Sequence, residues 1–139
     1  DVEWGRVAIV VGNDSIYPET FRLAALKNVD VVGVPTTILE KWENDYGFME
    51  RAAENRMNVI VASKIGSGIY AITEDFTLWT EWKNRPFDGN INMPVVTMAE
   101  QIGLTTAVIH PAASINKMVS QRTDVLKGRP WKLAGPIIS

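Results

Sequence analysis

Residues 12–19 read G-N-D-S-I-Y-P-E. They place two carboxylates (Asp14, Glu19) and a hydroxyl (Ser15) in a short polar elbow. An apolar run, R-V-A-I-V, precedes it, and a helical stripe, T-F-R-L-A-A-L, follows. An elbow after a buried strand is a common home for a reactive group in α/β proteins. Gly12 has no side chain, however, Asn13 is a poor nucleophile, and Asp14 and Ser15 lack evident partners. Any Ser-His-Asp arrangement would have to use His110, the sole histidine; at a strand end it reads as structural. K-I-G-S-G, 64–68, carries glycines and a lysine but not the G-x-x-x-x-G-K-S/T spacing that cradles phosphates. It reads as a hairpin turn. Asp14, Glu19, Glu54 and Asp88 form no metal-ligand motif, so neither metal nor cofactor is expected. Trp79 and Trp82 flank a predicted strand and read as packing.

Glu54 lies in R-A-A-E-N, 51–55, near the end of a helix, where a carboxylate is unfavourable unless paired. It is either a solvated glutamate or a buried one, bonded to backbone or to an arginine such as Arg51 and bracing the site at the strand ends.

The elements that would position these groups follow from periodicity. R-V-A-I-V-V-G, 6–12, predicts a buried strand. A helix starts at Pro18, harmless in a first turn, and ends near Asn28. V-D-V-V-G-V-P, 29–35, predicts a second strand, so the two should be parallel neighbours. Ile38 to Arg56 reads as a helix with an apolar stripe of Trp42, Tyr46, Met49 and Ala53, weakened by Gly47. Further strands are predicted at 57–63, 68–73, 76–82, 94–98 and 105–110, with a loop at 84–90 and a short helix from Pro111. The tail is expected to run over the surface or toward another subunit. The order βαβαβ followed by strands predicts an α/β layered domain with a mixed sheet and helices on one face. V-A-I-V-V and V-I-V-A look buried on both faces, so something must cover the second face.

The composition sets the bounds. The 139 residues suffice for one domain with a core. A formal charge of −2 and no basic run argue against a nucleic-acid partner, and the apolar runs are too short for a membrane span. With no cysteine, disulfides, thiolate metal sites and a cysteine nucleophile are absent, and a cytoplasmic setting is expected. The first residue, Asp1, and the strand pattern close behind it suggest a piece of a longer polypeptide.

Taken in order, these motifs resemble the C-terminal half of a carbon–nitrogen hydrolase of the nitrilase/amidase superfamily. The family's nucleophile stretch, Cys-Tyr-Asp-x-Arg-Phe-Pro-Glu, is matched by G-N-D-S-I-Y-P-E at Asp14, Pro18 and Glu19, with Tyr17 in place of Phe. L-A-A-L, V-V-G-V-P, R-A-A-E-N and V-I-V-A-S-K-I-G follow in family order, and R-T-D-V-L-K-G-R-P resembles its closing T-D-x-x-x-x-R-R-P. The resemblance implies one nitrilase-like domain over 1–139, half of an α-β-β-α sandwich. It implies site-shaping roles for Asn13, Asp14, Tyr17, Pro18, Glu19, Glu54 and Asn55.

The family's cysteine falls on Gly12, and its glutamate base and oxyanion lysine lie in the N-terminal half. The expectation is therefore a domain without hydrolase activity, a scaffold or a module binding a partner or a small amide-like ligand. The alternatives are an amidase or nitrile hydrolase completed by another chain or domain, and an unrelated small α/β binding domain. The uncovered sheet face implies packing on the missing half or on a second copy of the chain, hence an oligomer.

Overall fold

The computed structural model describes residues 1–72, 94–99, 103–120, 123–133 and 135. The predicted strand 76–82 and loop 84–90, with Trp79, Trp82 and Asp88, lie outside the described residues. A five-stranded mixed sheet forms the centre, in the order β1 (Val7–Ile9), β2 (Val31–Pro35), β3 (Asn58–Ala62), β4 (Ser67–Ala71), β5 (Val95–Ala99). β1, β2 and β3 are parallel; β4 and β5 are antiparallel additions. Two helices, α1 (Pro18–Leu26) and α2 (Phe48–Asn55), make the crossovers, as parallel neighbours require.

Alternation along the strands decides which side chains meet the helices. Val32, Val34, Val59, Val61 and Tyr70 form one core with Phe21 and Ala25 of α1 and Phe48 and Ala52 of α2. Both helices therefore cover the same face. Full burial of such an aliphatic side chain stabilises by about 1.5–3 kcal/mol. Pro18 opens α1 at its first position, and Asn28 takes φ 57 just beyond its end, the left-handed conformation that stops helices.

Three sequence expectations are corrected. First, the stripe Trp42, Tyr46, Met49 and Ala53 does not form the buried face. Trp42 and Tyr46 are 55% and 66% exposed, and Glu43, Asn44, Phe48, Ala52 and Asn55 are buried instead. The reason is a π-helical turn over Glu43–Gly47 that runs into α2. Its wider winding shifts the facing residues out of a 3.6-residue phase. Second, 105–110 forms no strand; Leu104 and Val108 stand 90% and 80% exposed, and β-branched composition without a ladder partner does not make a strand. Third, the second sheet face is not uniformly buried. Val31 and Asn58 are sealed, but Ile9 is 63% exposed.

The tail is tied to the fold more closely than its composition suggests. A short 3-10 turn, Pro111–Ile115, leads to β6 (Met118–Ser120) and β7 (Thr123–Asp124), an antiparallel pair. The buried Ser114 hydroxyl hydrogen-bonds Asp30 Oδ1. Lys117 Nζ donates to Asn55 O (3.1 Å) and Arg56 O (2.8 Å), satisfying carbonyls at the end of α2. Arg22, on α1, donates to Glu54 O (2.9 Å) and Val125 O (2.8 Å). Leu126 packs on the core.

Candidate functional site

The three parallel strands end on the same side of the sheet, and loops leaving such ends build binding crevices in α/β proteins. After β1 the chain turns through a single 3-10 turn, Gly12–Ser15. After β2 it runs extended through Thr36 and Thr37, and after β3 it turns back through Ser63 and Lys64 into β4. These segments, with Val11, Pro35, Ala62, Ser67 and Gly103, line an open cleft of about 780 Å³.

Gly12 sits at the cleft with φ +58, and a Cβ built on it would meet nothing within 4 Å. Its backbone thus has the left-handed form, free for glycine but strained for any residue with a side chain, and the space where a Cβ would stand is open. Its carbonyl accepts hydrogen bonds from Ser15 Oγ (2.7 Å) and Thr36 Oγ1 (3.3 Å). Ser15 is buried and its hydroxyl is spent on that bond, so it does not replace a nucleophile. Asn13, Asp14, Tyr17, Pro18 and Glu19 are exposed around the elbow. Asn13 O accepts from Ile16 N and Tyr17 O from Thr20 N. The elbow residues are thus gathered within one turn, but none of these five is among the cleft's lining residues.

Glu54 and Asn55 lie elsewhere. They close α2 just before β3 begins, at the end of the parallel strands opposite Gly12. Glu54 Oε1 pairs with Arg51 NH1 (3.0 Å) and accepts from Asn55 Nδ2 (3.2 Å). The braced glutamate exists, but it braces the entry of β3 and the tail rather than the cleft. His110 is exposed and uses its carbonyl, which accepts from Ala113 N (3.0 Å) and Asn58 Nδ2 (3.5 Å).

The residues that sequence reasoning missed are those of the second and third strand ends. Thr36 and Thr37 carried no sequence reading, and K-I-G-S-G read only as a turn. The turn is real: β3 and β4 are antiparallel across it, and Gly66 has φ +72. Yet it also brings Lys64 to the cleft. A signal was available, since residues just after parallel strands are where crevices form. Among the described residues no cluster of three histidines or carboxylates could hold a metal, and no helix is long and apolar enough to cross a membrane.

No family model matches the chain, and no curated protein does. Solved structures do. A cysteine mutant of the Nesterenkonia AN1 amidase, from the nitrilase superfamily, superposes with TM-score 0.57 at 19% identity, over 98% of this chain and 46% of that one. A second structure of that amidase, with the acetamide moiety of fluoroacetamide added at its active-site cysteine, matches at TM-score 0.50 and 18% identity, over 91% and 42%. A third, in complex with butyramide, gives 0.51 and 20%, over 95% and 44%. The chain spans less than half the length of the amidase it matches. The mixed sheet with helices on one face is thus a nitrilase-like fold.

Proposed function

We propose that this chain corresponds to the C-terminal half of a nitrilase-like hydrolase, that Gly12 occupies the nucleophile position, and that the domain is non-catalytic as it stands. It serves as a scaffold or as a module binding a partner or a small amide-like ligand, in a cytoplasmic setting. The observation that carries the reading is Gly12 itself: a positive-φ residue at the strand end, facing open cleft, in a chain without cysteine. Glycine offers no group to attack an amide carbon, and loss of a covalent nucleophile costs orders of magnitude in rate. Among the cleft's described lining residues there is also no carboxylate or imidazole to act as general base.

The test is ammonia release from a panel of short aliphatic amides and nitriles. The native chain is expected to give none, with any turnover appearing only as a gain in Gly12→Cys. Robust turnover by the native protein defeats the reading. The second reading, a hydrolase completed by another chain, is favoured by the exposure of Ile9 on the sheet and of Val11 at the cleft, 63% and 62%. It would show as turnover by the native chain only when that chain is supplied.

A further inference from the structure

We propose that the cleft beside Gly12 binds a small aliphatic carboxylate, held by Lys64 and Ser63. This rests on the reading of the cleft as a ligand site and names the ligand class. The argument is an accounting of donors and acceptors. Gly12 O already accepts from Ser15 and Thr36. The Ser67 hydroxyl donates to Ser63 O (2.9 Å) and accepts from Ser63 N (3.0 Å), so it is occupied in both senses. Ser63 Oγ accepts from Ile38 N (3.3 Å) and Ile65 N (3.2 Å). Its acceptor positions are filled, and its hydrogen is left to donate.

Among the described lining residues, Lys64 alone has an ionisable side chain, and it is exposed. The described lining therefore presents an ammonium and a hydroxyl donor, with no carboxylate among its described residues. A carboxylate supplies two acceptor oxygens and the matching charge, giving charge-assisted bonds that are roughly twice as strong as neutral ones. A primary amide carries no charge to pair with the Lys64 ammonium. Val11, Pro35 and Ala62 offer an apolar wall for a short aliphatic tail.

The experiment is calorimetric titration of the native chain with sodium butyrate and with butyramide at matched ionic strength. Butyrate is expected to bind about tenfold or more tighter than butyramide. Lys64→Met should abolish that preference, Lys64→Arg should keep it, and added NaCl should weaken it. Lys64 is exposed in a hairpin turn, so neither substitution threatens the fold. Equal binding of the two probes, binding of neither, or a preference that survives Lys64→Met overturns the assignment. Amide turnover by the native chain would defeat the non-catalytic reading instead, and leaves the butyrate preference standing or falling by itself.

Discussion

Gly12 and Gly66 both hold positive φ, but their surroundings differ. At Gly12 a Cβ would meet nothing within 4 Å, whereas at Gly66 it would fall 2.6 Å from Asn44 Nδ2. Asn44 cannot retreat freely, because its O and Oδ1 accept from the buried Tyr70 hydroxyl at 2.5 and 2.9 Å. Gly12→Ala should therefore cost only the backbone strain, about 1 kcal/mol. Gly66→Ala adds displacement of a packed, hydrogen-bonded side chain and should cost about 2–3 kcal/mol. Urea denaturation of the two variants measures both, and a Gly12→Ala cost equal to that of Gly66→Ala would contradict this ordering. The same contrast bears on the candidate site. The turn at Gly12 has room for a side chain, but its positive φ disfavours one.

At the scale of elements, Lys117 joins the tail to the end of α2. Burial is the main influence on its ammonium and pushes its pKa down to about 8 from 10.5; Asp30 opposes this, Arg56 and Arg22 add to it, and Asp124 opposes it more weakly. The folded chain thus loses this proton near pH 8, while the unfolded chain keeps it to about 10.5. Between these values the unfolded state binds more protons, so stability rises with pH. Tyr70 acts in the opposite sense. Burial, followed by the charge of Asp45, raises its pKa above the ordinary 10.0, so unfolding is favoured as pH climbs beyond that value. Thermal melts should show stability rising from about pH 8 to 10 and falling above it, and Lys117→Met should remove the rise. A flat profile in the native chain would contradict it.

The elements themselves were largely legible. β1 through β3 and α1 follow from apolar runs, Pro18 and Asn28, all local signals. The phase of the second helix was not, because the π turn shifts it and is tied by Asn44 to Tyr70 of β4, and periodicity carries no trace of that contact. Nor was the role of 114–126, whose bonds to Asp30, Asn55 and Arg22 are made by single polar atoms and leave no pattern in hydropathy. The elbow at Gly12 was legible because a turn between strand and helix has its own residue chemistry. Lys64 was not, since its place depends on which strand ends lie side by side.

At the scale of the molecule, the described helices cover one face of the sheet, and Ile9 stands mostly exposed on the other. Covering apolar surface of this kind returns roughly 25 cal/mol per Å². Another domain or a second copy of the chain would serve, and we propose that the chain self-associates when alone. Size-exclusion chromatography with light scattering should give a dimer or larger species. Ile9→Lys, on the open face, should shift it toward monomer. A native chain that runs as a well-behaved monomer would contradict the proposal.

Arg22 also has a meaning in polymer terms. Its one guanidinium closes two loops, of 32 residues to Glu54 and 103 residues to Val125. Closure entropy grows only logarithmically, so the longer loop costs about 1 kcal/mol more than the shorter. In time they are further apart. A chain emerging from the ribosome can close the first loop once α2 is made, but the second must wait for residue 125. Until then half of that buried cation's partners do not exist, and the helix pair is held with one of its two clasps open.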